Sequence, residues 1–311
     1  MISNCYMHSA YRAANKGLRR FVDSREGRLT QRALLLLGPA GTGKSTLINN
    51  FFRTPEFEAV DTPLGLRQPA IIVEAPSRGT VGALSEVILA KLNDKNPQRG
   101  NVQAKMARMF HNLLEQKVGV IVIDEVDQLT LTNAFAYADY LKSILNQSRS
   151  RLVLVGLETA LSLPRANDQL ARRCDAPQLL NAFDWFKLSD RSEFKQILEG
   201  IQNDAPSVFA ECPISDPTLA AAINFATEGS LGFVDSLLTY AVDCANDDER
   251  DQLTIADLAQ ACDSIYQLRS IAGARINPFR DALPLQWRPL PSSPSATTPR
   301  VRSCTTKAGA R

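Results

Sequence analysis

Four short apolar runs punctuate the first half of the chain: Ala33–Leu37 (ALLLL), Ala70–Glu74 (AIIVE), residues 118–123 (VGVIVI) and residues 152–155 (LVLV). Their length and near lack of polar alternation predict strands buried on both faces of a parallel sheet. The intervening segments have helical spacing. Residues 46–52 continue from the first run as a helix. Residues 80–92 place Val81, Leu84, Ile88 and Leu92 on one stripe, and residues 102–116 do the same with Met106, Met109, Phe110 and Leu113. From Leu188 onward only helical patterns remain, with start signals at Ser189 or Asp190, at Asp216 and at Thr254, where Asp257 stands as a capping acid. Strands interleaved with helices, then helices alone, predict an α/β unit followed by a helical one.

The connection between the first strand and the first helix carries chemistry. It reads Gly38-Pro39-Ala40-Gly41-Thr42-Gly43-Lys44-Ser45, the G-x-x-x-x-G-K-[ST] phosphate loop, and runs into Thr46. Three glycines let the backbone wrap phosphate oxygens, and the free amides at the helix start point back at the loop. Lys44 would reach the β and γ phosphates as a point charge, and the Ser45 hydroxyl would ligate Mg²⁺. These features point to a nucleoside triphosphate.

A second site follows the 118–123 run, which changes abruptly to Asp124-Glu125. Acids at the carboxyl end of a buried strand lie where α/β sites form. On a strand adjacent to the phosphate loop, Asp124 would hold Mg²⁺ through water, and Glu125 would polarise the attacking water for hydrolysis. The roughly eighty residues between the two motifs leave room for one inserted strand and two helices.

The motif order resembles the AAA+ ATPases, which implies a P-loop NTPase with a parallel five-stranded sheet, flanking helices and a C-terminal all-helical lid. In this resemblance the segment Gln169-Leu170-Ala171-Arg172-Arg173-Cys174-Asp175 precedes the fifth strand. Arg173, with Arg172 as the alternative, then matches the arginine that reaches into a neighbouring subunit's nucleotide. Leu157 occupies the position where a polar γ-phosphate sensor is usual, leaving Glu158 or Thr159 as substitutes. Residues 228–234 stand where many lids carry a nucleotide-sensing arginine, and none is present there. That departure implies slow, partner-stimulated hydrolysis.

Within AAA+, several segments together resemble the TniB/TnsC transposition ATPases, relatives of the phage protein MuB: residues 69–77 with Thr80, residues 121–129, Leu154-Val155-Gly156, residues 169–173 and Asn277-Pro278-Phe279. The resemblance implies a protein that uses ATP and Mg²⁺, polymerises on double-stranded DNA as a ring or filament, and recruits or activates a transposase, with a target-selector protein as a further partner. A cytoplasmic location is expected separately, from the lack of a basic-apolar-small signal pattern and of a membrane-span run. The alternatives within the same fold are an origin-recognition or helicase-loading switch, a secretion-associated ATPase, and an ATP-binding scaffold with little turnover.

Charge adds a location. The formal net charge is only +2 over 311 residues, but residues 12–32 carry +5 (seven cations against two acids) and residues 275–311 carry +6 (seven against one), which leaves −9 between them. A basic amino-terminal segment, including Arg19, Arg20 and Arg28, is thus a candidate for DNA backbone or for a neighbouring subunit, as are the loops after Ala75 and near Arg99. The expected organisation is a basic helical segment over 1–32, the nucleotide-binding unit over 33–187, the lid over 188–270, and a Pro/Ser/Arg-rich tail over 271–311 that is largely disordered and in which Phe279 and Trp287 are possible docking anchors. Six scattered cysteines, without a C-x-x-C pair, and two histidines imply no zinc site, and no apolar run approaches a membrane span.

Overall fold

The structure is a computed structural model and describes residues 7–23, 32–63, 65–77, 79–269 and 276–283. In chain order its strands are β1 (Ala33–Leu37), β2 (Val60–Thr62), β3 (Gly65–Arg67), β4 (Ala70–Glu74), β5 (Val120–Asp124), β6 (Arg151–Gly156) and β7 (Gln178–Leu179). Five of them form one sheet in the order β4-β5-β6-β1-β7, with every pairing parallel, while β2 and β3 make a separate antiparallel hairpin. β6 lies between β5 and β1, so the strand ending in Asp124 stands one strand away from the phosphate-loop strand, yet its carboxyl end still meets the loop, with Ser45 and Asp124 at 2.7 Å. The run 152–155 is apolar on both sides and has no exposed residue, which suits it to the centre of the sheet.

Alternation along each strand divides the core into two layers. Leu35, Leu37, Ile121, Ile123, Leu152 and Leu154 face one cluster, which is completed by Leu84 and Ile88 of α3 (Val81–Lys91), Met109 of α4 (Val102–Glu115) and Leu141 of α5 (Thr130–Gln147). Leu34, Leu36, Val122, Val153 and Val155 face the other, with Leu47 and Phe51 of α2 (Lys44–Phe52) and Leu18 and Phe21 of α1 (Ser9–Asp23). Each fully buried Leu or Val contributes about 2 kcal/mol by leaving water, so the sheet fixes where its carboxyl ends, and the loops on them, must lie.

Helix α1 shows why a basic segment is not automatically a ligand surface. Tyr11, Ala14, Leu18 and Phe21 form its buried stripe. Arg19 lies 4.4 Å over the Phe51 ring and pairs with Glu56, and Arg12 lies 3.7 Å from Glu193. Lys16 and Arg20 stay exposed, and Arg25 and Arg28 fall outside the described residues.

The lid consists of α8 (Leu188–Asp204), α9 (Pro217–Thr227), α10 (Leu231–Asp247) and α11 (Ile255–Arg269), and its core also takes Phe183 and Trp185 from the preceding strap. Neither Ser189 nor Asp190 caps α8. That helix already begins at Leu188, and the Asp190 carboxylate pairs with Lys187. Asp216 does cap α9, accepting from the amides of Thr218 (2.8 Å) and Leu219 (3.3 Å). Asp257 accepts from the Thr254 amide at 2.8 Å and from Arg250, whose hydrogen bonds hold the buried carboxyl at about 2.

Asn277 fastens the chain back onto α11, donating to the Ala259 carbonyl and the Asp263 carboxylate at 2.8 Å each, and Phe279 and Leu283 pack against the lid core. Trp287 and the prolines from Pro284 onward lie outside the described residues.

Candidate functional site

Buried β1 delivers its next residue, Gly38, to the carboxyl edge of the sheet, where its N–H donates to the Gly156 carbonyl at 3.2 Å. A Cβ at Gly38 would lie 2.1 Å from the Leu180 carbonyl oxygen, so only glycine fits there. Gly41 and Gly43 take φ values of +72° and +91°, which reverse the chain around the loop, and the Thr42 hydroxyl closes it by donating to the Pro39 carbonyl at 2.9 Å. Helix α2 starts at Lys44 with Gly43 as its cap residue and no side-chain cap, so its first amides are available to an anion. The Lys44 ammonium arches back over the loop and donates to Gly38 (2.8 Å) and Pro39 (2.7 Å) carbonyls. Burial lowers its pKa, while Asp124 and Asp127 oppose that shift.

The second motif meets the first. The exposed Ser45 hydroxyl, next to exposed Thr46, donates to Asp124 Oδ2 at 2.7 Å, and Asp124 Oδ1 accepts the Glu125 amide at 2.8 Å. Both oxygens of Asp124 are thereby oriented. Glu125 has a left-handed backbone (φ +53°), an uncommon conformation for a non-glycine residue, and its side chain is exposed beside the loop.

Two acids missed in the sequence reading complete the cluster. Glu74 is the register partner of Asp124 across β4 and β5, and Asp127 accepts the Leu157 amide at 3.0 Å. Partial burial, followed by the charges of Glu74, Asp124 and Asp127, raises the Glu125 carboxyl above its ordinary range. Glu74 had a signal of its own: it ends an apolar run as Asp124 does.

Other candidates differ in how near they stand to the loop, and Leu157 directly follows Gly156, whose carbonyl the Gly38 amide meets. Leu157, Glu158 and Thr159 are exposed just beyond β6, Glu158 and Thr159 in a 3-10 turn spanning Glu158–Leu161. The carbonyl of Arg173 accepts the Ala33 amide at 2.9 Å, which places it at the foot of β1, roughly 16 Å of strand from Gly38. Arg172 is exposed and Arg173 half-buried. The lid does reach the loop, which sequence reading missed: Ser230 and Gly232 hydrogen-bond to Ala40 and Gly41.

The donor set fits the groups the motifs imply. A serine hydroxyl and a carboxylate 2.7 Å apart are hard oxygen donors of the kind Mg²⁺ prefers, and a Cβ at Gly43 would meet nothing within 4 Å, so there is open space beside that residue. The family model described as bacterial TniB protein matches residues 5–183, more than half the chain. The chain belongs to the TniB family. The match to this TniB chain spans both motifs and the Arg172-Arg173 pair.

No match was found among curated proteins. Among solved structures, the TniB chain is similar to the Aeropyrum pernix ORC1 protein in complex with DNA (18% identity, TM-score 0.64, covering 86% of this chain and 68% of that one). It is also similar to the ORC2 protein of the same organism in its ADPNP-ADP complexes (17%, 0.59, 86% and 72%) and to Cdc6p from Pyrobaculum aerophilum (15%, 0.55, 85% and 70%). These likenesses agree with the strand order and the lid: the TniB chain has the P-loop fold of the AAA+ type.

Proposed function

We propose that this chain is an ATP-dependent, DNA-binding regulator of DNA transposition. It assembles with further copies of itself on double-stranded DNA, recruits or activates a transposase, works with a target-selector protein, and hydrolyses ATP slowly, with stimulation by DNA or partner. The observation that carries the reading is TniB-family membership in a chain whose Ser45 hydroxyl and Asp124 carboxylate meet at 2.7 Å beside the loop. Lys44 and the amides of the loop and of the start of α2, Thr46 included, would hold the triphosphate. Ser45 would hold Mg²⁺ directly and Asp124 would do so through water; the ion would supply charge neutralisation to the triphosphate. Glu125 orients water and accepts its proton. Arg173, or the more exposed Arg172, acts on the nucleotide of an adjoining copy. Among the described residues no helix is long and apolar enough to cross a membrane, in keeping with a cytoplasmic role.

An origin-type switch is the second reading, favoured by the likeness to ORC1 and Cdc6p. Stimulation of turnover by a transposase, rather than by DNA alone, separates the two.

For DNA we favour the connection between α3 and α4 over α1. Lys91, Lys95 and Arg99 are exposed there. Arg108 braces the connection from below, donating to the Arg99 (2.8 Å) and Asn96 (3.0 Å) carbonyls and the Asp94 carboxylate (3.2 Å), whereas Arg12 and Arg19 of α1 are already paired. Replacing Lys91, Lys95 and Arg99 with Gln should weaken duplex binding uniformly across sequences. The triple change should also flatten the log-log salt slope by about 2 to 3, because each lost phosphate contact removes about 0.9. Lys16→Gln with Arg20→Gln should change the slope by less than about 1. Titrations at several salt concentrations, with ATP turnover followed in parallel with and without duplex, provide the check. An unchanged slope in the triple variant would rule out this surface, and no duplex binding at all would overturn the transposition reading.

A further inference from the structure

The lid touches the phosphate loop through the start of α10, and it does so largely by backbone. The Gly232 amide donates to the Gly41 carbonyl at 2.7 Å, and the Ser230 hydroxyl donates to the Ala40 carbonyl at 3.0 Å. Ser230 is the cap residue of α10, yet its side chain does not cap that helix. The loop performs the task instead, since the Gly41 carbonyl takes one of the first free amides of α10.

The contact requires glycine on both sides. A Cβ at Gly232 would lie 2.8 Å from the Gly41 oxygen and 2.9 Å from its Cα, and a Cβ at Gly41 would lie 2.6 Å from Ser230 Oγ. The turn before α10 is held in turn by the strap into the lid: the Phe183 amide donates to Gly229 (2.9 Å), and the Asn224 side chain donates to Phe183 (3.2 Å). A displacement of the 230–232 segment is therefore passed to the lid core, to which Phe183 belongs.

We infer that Ser230 and Gly232 are positioning residues that sense the shape of the phosphate loop and set the position of the lid, coupling nucleotide to the lid without an arginine at 228–234. The coupling follows from the planarity of the peptide unit: the Ala40 carbonyl shares a plane with the Gly41 amide, and the Gly41 carbonyl shares one with the Thr42 amide. Turning either amide toward a phosphate turns the carbonyl on the same plane, and those carbonyls are the ones the lid holds. This inference rests on the proposed binding of ATP at the loop.

The test uses the full chain as Gly232→Ala, as Ser230→Ala and, for a control, as Ser236→Ala, whose hydroxyl is exposed one turn further along α10 and donates to the Gly232 carbonyl at 2.9 Å. Alanine favours helix over glycine, so Gly232→Ala is compatible with a folded α10. Hydrogen exchange at the amides of 230–234 is measured with and without a non-hydrolysable ATP analogue, and analogue affinity is measured by fluorescence.

In the parent and in Ser236→Ala, exchange in this segment depends on nucleotide. In Gly232→Ala it rises by roughly tenfold, the loss of about one buried hydrogen bond, and no longer responds to nucleotide. Ser230→Ala shows a smaller loss of the same kind. Analogue affinity in both falls by less than about tenfold, because Lys44 and the loop amides remain. A parent that binds the analogue with no change in exchange at 230–234, or a Gly232→Ala protein that keeps the full response, overturns the inference and leaves the ATP reading standing. A parent that binds no analogue overturns both.

Discussion

Lys44→Ala weakens ATP binding by about 100-fold or more in a chain that stays folded, because Lys44 has no substitute in the loop. It is the only cation between Gly38 and Ser45, and its ammonium already lies over the loop, 2.8 and 2.7 Å from the Gly38 and Pro39 carbonyls. An ammonium that donates to phosphate oxygens makes charge-assisted bonds of about 1.5 to 3 kcal/mol each, so losing two weakens binding by about 3 kcal/mol or more, on the order of 100-fold. The fold should survive, because the carbonyls released from Lys44 lie at an open loop where water can replace the ammonium. Titration with a fluorescent ATP analogue, alongside a thermal melt, measures both effects. Undiminished affinity in the folded variant would contradict the role given to the loop.

Glu125→Gln, by contrast, keeps ATP affinity within a few-fold and lowers turnover by about 10² to 10⁴, the usual contribution of a positioned general base. The geometry predicts this split: Ser45 and Asp124 are hydrogen-bonded to each other, whereas the Glu125 side chain is exposed beside them. The pH profile carries a second signature. Partial burial and the neighbouring Glu74, Asp124 and Asp127 raise the Glu125 carboxyl, so the basic form fills in above the ordinary glutamate range, and kcat rises with pH through that window before levelling. Glu125→Gln lacks this limb.

Stability runs the opposite way. A carboxyl raised by folding contributes most below its unfolded pKa and loses that contribution as pH climbs through the folded one. A melt at neutral pH should therefore show Glu125→Gln no less stable than the parent. Wild-type turnover in Glu125→Gln would remove this residue from the chemistry.

The parts of the fold that were legible in the sequence are those governed by local pattern. The four apolar runs became β1, β4, β5 and β6, and the 38–45 motif became a loop entering a helix at Lys44. Pairing order is a non-local property, and the insertion of β6 between β1 and β5 could not be read from runs that are all equally apolar. The two-residue β7 is too short to leave a pattern, and it exists because it pairs with Leu36 and Leu37.

At the site, Ser45 and Asp124 were legible because residue type and spacing encode them. Asp127 was not, because its role comes from the Leu157 amide thirty residues away, and the Ser230 and Gly232 contacts depend on where the lid folds. Charge counting marked residues 12–32 as a basic surface. Folding turns Arg19 instead onto Glu56 and Phe51, and the exposed cations of the α3–α4 connection are at least as well placed for DNA.

In the function proposed above, nucleotide at this loop controls assembly on DNA, and the decisive measurement is duplex affinity with and without a non-hydrolysable ATP analogue. If nucleotide-bridged copies add their phosphate contacts along one duplex, the analogue tightens binding by at least about tenfold in the parent and not at all in Lys44→Ala. Equal affinity with and without the analogue, in a parent protein shown to bind that analogue, would contradict the account.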